Sequence, residues 1–92
     1  MASSAQVEHA DIRVRTVAID KDRLTVELMD GRAISAPLVW YPRLAGASRE
    51  ALLDWSISGG GYGIHWPQLD EDLSTEGLLR GARAPQRPDP IS

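Results

Sequence analysis

The 92-residue chain contains no cysteine and no phenylalanine. Without cysteine there is no disulfide framework, no thiolate nucleophile and no Cys-type zinc site. Without phenylalanine, the core falls to Val, Ile, Leu and three Trp. Long apolar runs are missing too. Nothing approaches the ~20 apolar residues of a membrane span. The first eight residues, Met1 to Glu8, lack the basic and apolar regions of a signal peptide. These absences predict a cytoplasmic protein without a membrane partner.

Positive charge is scarce where a domain would sit. Residues 1–79 hold seven basic and twelve acidic groups, within a net charge of −3 for the whole chain. A nucleic-acid binder presents a basic face, so no direct nucleic-acid contact is expected. The apolar fraction of 42% and charged fraction of 25% are ordinary globular values. The length is that of one small domain, which buries roughly 60–65% of its unfolded surface.

The pattern along the chain is mostly β. Ile12 to Ile19 is rich in strand formers, and its apolar positions change parity between Val14 and Val17. Such a shift fits a bulge or a strand covered on both faces. Leu24, Val26 and Leu28 then alternate with polar residues, the period of a half-buried strand. Asp30-Gly31 supplies the two positive φ values of a type I′ hairpin, and Ile34, Ala36 and Leu38 continue the buried face. Pro37 lacks an amide donor, which places this strand at an edge. A three-stranded antiparallel meander is predicted over 12–39.

Beyond it, a turn is predicted at 42–46 and a helix near 49–54, with Ser48 as N-cap. Trp55, Ile57, Tyr62, Ile64 and Trp66 alternate around Gly59-Gly60-Gly61, which suggests a second hairpin. Tyr62, Ile64 and Trp66 would face the core and His65 would face outward. A last short helix would begin at Ser74 and close at Arg80-Gly81. The reading is an α+β fold, a small antiparallel sheet packed with one or two short helices. Residues 1–11 form an N-terminal arm, 12–81 the domain, and 82–92 a Pro/Arg tail.

Two stretches, Trp40-Tyr41-Pro42-Arg43-Leu44 and Gly61-Tyr62-Gly63-Ile64-His65-Trp66-Pro67 running on through Gln68-Leu69-Asp70-Glu71-Asp72-Leu73-Ser74, resemble the bacterial domain of unknown function 2442 family. Asp30-Gly31-Arg32 and Gly77-Leu78-Leu79-Arg80-Gly81 are similar to it as well. The resemblance spans about residues 12–81. It implies a small α+β domain on an antiparallel sheet, with no established enzymatic activity. It also implies, for some members, an antitoxin-like role beside a small toxin partner. Some relatives add a helix-turn-helix domain, which has no counterpart in these 92 residues. The resemblance carries over no catalytic residue.

Three chemistries can be weighed on the residues alone. The glycines do not form a dinucleotide fingerprint, because Trp66 stands where the third glycine is needed, and no Lys-Ser/Thr follows as in a phosphate loop. No cofactor is expected. His65 with Asp70 and Asp72 offers a metal or ligand site, against the plainer reading of an exposed, hydrogen-bonded histidine. Asp70-Glu71-Asp72 reads as carboxylates placed before a helix start, where the helix dipole favours them. Ser56, Ser58 and Ser74 lie in no nucleophile-elbow context. The chain reads as a non-enzyme. Trp40 and Trp66 read as core, while Tyr41 and Tyr62 are balanced between core and interface.

The leading expectation is therefore a protein–protein interaction module whose partner is another protein, a small basic toxin-like one being the specific case. The contact residues would be Tyr41, Arg43, Tyr62, Gly63, His65, Asp70, Glu71 and Asp72. The alternatives are a ligand- or metal-binding domain using His65, Asp70 and Asp72, and a homodimer paired at a sheet edge.

Overall fold

Strand β2 (Arg23–Leu28) is the centre of the first sheet, and it is built by simple alternation. Leu24, Val26 and Leu28 are fully buried, while Arg23 and Glu27 are exposed and Thr25 half-buried. The computed structural model that establishes this describes residues 10–82. The arm expected over 1–11 and the tail expected over 82–92 lie outside the described residues, except Ala10, Asp11 and Ala82. Asp11 is already part of the fold. Its carbonyl accepts from the Asp30 amide at 3.2 Å, and its own amide donates to the Asp30 carboxylate at 3.1 Å.

On one side β2 pairs antiparallel with β1 (Val14–Ile19), and on the other with β3 (Ala33–Pro37). The ladder slips between Val14 and Thr16, leaving Arg15 without an opposite number. This is the bulge that the parity change predicts. Pro37 ends an edge strand, where its missing amide costs no ladder bond.

The turn between β2 and β3 differs from the expected type I′. Among residues 29–32 only Gly31 has a positive φ, 98°. The Gly31 amide donates to the Leu28 carbonyl and the Leu28 amide to the Arg32 carbonyl. That is a type I turn followed by a left-handed glycine, a three-residue loop with a G1 bulge. Asp30 stays in an ordinary conformation, and its carboxylate caps the loop by accepting from the Arg32 backbone and guanidinium.

The chain leaves the sheet through a single 3-10 turn, Leu38–Trp40, and two short helices, α1 (Pro42–Ala45) and α2 (Arg49–Leu53). Ser48 caps α2 by accepting from the Ala51 amide, as the sequence predicts. A second antiparallel sheet follows, in the order β4 (Ser56–Ser58), β5 (Gly63–Trp66), β6 (Glu71–Ser74). It has three strands where a hairpin was expected. Then comes α3 (Thr75–Arg80), capped by Ser74 at one end and by left-handed Gly81 at the other. The Gly81 amide reaches Leu78 and the Ala82 amide reaches Gly77, a Schellman closure.

Both sheets contribute to one core. Val14, Leu24, Val26, Leu28 and Ala36 come from the first, Ile64 and Trp66 from the second, and Leu38, Tyr41, Leu44 and Leu78 from the connections. Trp66 is the largest fully buried side chain. Its indole N–H donates to the Leu52 carbonyl at 3.0 Å, which ties β5 to α2. Trp40 and Trp55 pack against this core from its rim.

Candidate functional site

Glycine conformations shape the entry to the second sheet. Gly59, Gly60 and Gly61 all have positive φ, which lets the chain reverse between β4 and β5. At Gly61 there is also a steric reason for glycine. The Arg13 side chain lies across it, so that an added Cβ would stand 3.0 Å from the Arg13 Cγ and Cδ. The stretch is a tight turn and a seat for the Arg13 stem, and it brings the first sheet against the second.

Alternation then sorts β5. Ile64 and Trp66 point inward, and His65 points out, half-buried. Tyr62 departs from the expected pattern. It sits at the end of the glycine turn, before the strand begins, and remains 49% exposed. The outer face is arranged in rows by the register. One row is Ser56, His65, Asp72, and the next is Ser58, Gly63, Ser74. Within the first row His65 Nδ1 lies 2.8 Å from Asp72 Oδ1, with the two side chains 36% and 67% exposed.

The β5–β6 connection carries the site's strained residue. Pro67 follows Trp66, whose carbonyl accepts from the Leu69 amide, so Pro67 occupies the turn position it favours. Asp70 closes the loop at φ 52°, the one non-glycine with positive φ among the described residues. Its side chain is 94% exposed. The Arg43 guanidinium donates to the Asp70 carbonyl and lies 3.9 Å from its carboxylate.

The acidic run is not the start of a helix. Glu71, Asp72, Leu73 and Ser74 form β6, paired with β5, and α3 begins only at Thr75. Alternation therefore splits the three acids. Glu71 turns inward and is buried, Asp72 turns outward to His65, and Asp70 belongs to the loop. Burial pushes the Glu71 carboxyl above the usual range, and the neighbouring Asp72 and Asp70 charges push the same way. Tyr41 is buried as well, at 1% exposure, and burial followed by the Glu71 charge raises its hydroxyl pKa.

Of the eight expected contact residues, Tyr41 and Glu71 thus face the interior and present no side chain to a partner. Arg43, Tyr62, Gly63, His65, Asp70 and Asp72 remain on or near the surface. The metal alternative needed His65, Asp70 and Asp72 to converge. Instead Asp72 engages His65 while Asp70 faces Arg43, and among the described residues no group of three His, Asp or Glu is placed to hold an ion. Ser56 and Arg13 were absent from the expected set. Their places follow from strand register and from packing between sheets, for which the sequence carries no local signal.

No helix among the described residues is long and apolar enough to cross a membrane. A family model described as a protein of unknown function (DUF2442) matches residues 14–84. No protein of curated function matches the chain. A crystal structure of a protein of unknown function from Rhodospirillum rubrum is similar, with 34% identity, a TM-score of 0.71, and coverage of 84% of this chain and 95% of that one. The solution structure of an uncharacterised protein from Chromobacterium violaceum is also similar, with 27% identity, a TM-score of 0.69, and coverage of 89% and 75%.

Proposed function

We propose, from the premise that this chain belongs to the DUF2442 family of proteins of unknown function, that it works as a protein–protein interaction module in the bacterial cytoplasm. The observation that carries the reading is Asp70. A fully solvated carboxylate is held at a loop tip in a conformation that favours glycine. Among the described residues its carboxylate faces the Arg43 guanidinium at 3.9 Å and is otherwise open to solvent. That open carboxylate is the group we assign to a partner contact.

Arg43 lies beside Asp70, the outward pair His65 and Asp72 follows along the hairpin, and the half-exposed ring of Tyr62 stands at the hairpin's opposite end. Tyrosine and arginine are the side chains that most often concentrate binding energy at an interface. The exposed acids and the net charge of −3 favour a basic partner. A small basic toxin-like protein is the specific case we favour, with this chain as its antitoxin-like companion.

The test is capture from the native host's lysate with the tagged full chain, then co-expression with each recovered protein. A basic partner that co-purifies, and is released by Tyr62→Ala with Asp70→Asn, supports the proposal. Recovery of no partner, or retention of the partner by the double variant, overturns it. Light scattering of the purified chain reads the homodimer alternative in the same preparation.

A further inference from the structure

The outer face of the second sheet carries a row that no sequence motif announces. Ser56 on β4 pairs with His65 on β5, and His65 pairs with Asp72 on β6. Directly opposed residues of antiparallel strands share a face, with Cβ atoms about 4.5–5.5 Å apart. A serine, a histidine and an aspartate therefore stand side by side in that order.

One link of the row is made, the 2.8 Å bond between His65 Nδ1 and Asp72 Oδ1. A carboxylate only accepts, so Nδ1 carries the proton in that bond. The lone pair of the neutral ring is then on Nε2, across the ring from Asp72. Asp72 fixes the tautomer and orientation of the imidazole, which is the role of the carboxylate in a Ser-His-Asp triad. Ser56 is exposed on the strand that flanks the ring on its other side. The ground beside the ring is low. Gly63 has no side chain, and the Ser58 hydroxyl lies over it, 2.7 Å from where a Cβ would stand.

We propose that Ser56, His65 and Asp72 form an acyl-transfer site for small, activated esters. Ser56 Oγ attacks the ester carbonyl carbon while His65 Nε2 takes the hydroxyl proton. The tetrahedral adduct collapses, the bond to the leaving oxygen breaks, and the imidazolium returns its proton to that oxygen. Water then attacks the acyl-serine, giving its proton to Nε2. The acyl–serine bond breaks, the carboxylic acid departs, and Ser56 recovers its proton. Water is the only co-reactant.

The row is open to solvent, so an oxyanion there is stabilised by water. That restricts the substrates to esters with a good leaving group and a small acyl part. The inference rests on strand register and does not depend on the interaction reading.

The test is p-nitrophenyl acetate added to the full chain, with nitrophenol release followed and the acid-quenched protein mapped by mass spectrometry. Acetyl on Ser56 is the expected result. Ser56→Ala and His65→Gln should each lower the rate by about 100-fold, the scale of positioned acid–base catalysis. Asp72→Asn should slow acylation, and Asp72→Glu should recover part of it, which separates positioning of the ring from loss of fold. Acetyl found only on Lys21 or the amino terminus overturns the proposal. So does an undiminished rate in Ser56→Ala, which would mean that the imidazole reacts alone. The mapping is done on the unmodified chain, so it stands even where a variant is unstable.

Discussion

Asp70 and Glu71 are adjacent acids in opposite circumstances, and each makes its own prediction. Asp70 sits at φ 52°, where a side chain costs the backbone free energy, about 1–2 kcal/mol for an ordinary residue and less for Asp. Asp70→Gly removes that cost but adds about 0.5–1 kcal/mol of unfolded-state entropy. The fold should therefore be unchanged or gain up to about 0.5 kcal/mol, whereas Asp70→Val should lose about 1–2 kcal/mol, both read from urea midpoints. If the proposed contact is right, Asp70→Gly weakens partner capture while leaving stability intact.

Glu71 is buried beside Tyr41, and its carboxyl titrates above the ordinary range because burial disfavours the charge. The folded state therefore binds this proton more tightly than the unfolded chain does. Stability from this group is fully present below the unfolded pKa and is lost as pH rises through the folded one. Glu71→Gln should raise the melting temperature at neutral pH, with the advantage vanishing in acid. Asp11 has the opposite sign. Hydrogen bonding from the Arg13 guanidinium holds its carboxyl down at about 2, so its contribution is present at neutral pH and fades in acid. Melting curves across pH for the Gln variant and the parent separate the two.

At the scale of elements, the short helix α3 depends on its ends. Six residues are too few for intrinsic helix stability. The Ser74 hydroxyl accepts from the Gly77 amide, and Gly81 closes the far end in a left-handed turn. Ser74→Ala should cost about 1 kcal/mol, seen as a lower denaturation midpoint with an unchanged slope. Caps such as Ser48, Ser74 and Gly81 were readable in the sequence because their partners lie within a few residues. The same holds for the alternation of Leu24, Val26 and Leu28, and for the bulge signalled between Val14 and Val17.

What stayed illegible depends on distant partners. Glu71-Asp72-Leu73-Ser74 reads as an acidic lead into a helix, and only its pairing with β5 makes it a strand. The inward turn of Glu71 and the outward turn of Asp72 follow from that pairing. So does the Ser56–His65–Asp72 row, whose members join only when three strands adopt one register. Tyr41 and Tyr62 were equally ambiguous as residue types. Position decided between them, since Tyr41 enters the core between a 3-10 turn and α1, whereas Tyr62 ends the glycine turn. Of the candidate site, the surface members His65, Asp70 and Asp72 were legible, and their separate partnerships were not.

For the whole molecule, the deciding fact is that two separate hydrogen-bonded sheets share one apolar interior. Among the described residues no backbone ladder joins them. Their coupling comes from side chains that meet in the middle and from the Arg13 stem on Gly61, while the Trp66 indole bond to Leu52 anchors β5 to α2. Each sheet buries its apolar face in the shared core, and a small sheet needs a packed apolar face to be stable, so neither sheet keeps its order once that core opens. The fold should then unfold in one step, with the amides of Val26 in the first sheet and Ile64 in the second exchanging through the same global opening. Trp66→Phe removes the indole donor and leaves the Leu52 carbonyl and a cavity behind, at a cost of about 2–3 kcal/mol. Because the interior is common, that loss should lower hydrogen-exchange protection equally at Val26 and at Ile64. Protection lost at Ile64 alone would show the two sheets to be independent units. In that case the acyl-transfer row and the proposed contact face would ride on a sheet that opens without disturbing the first.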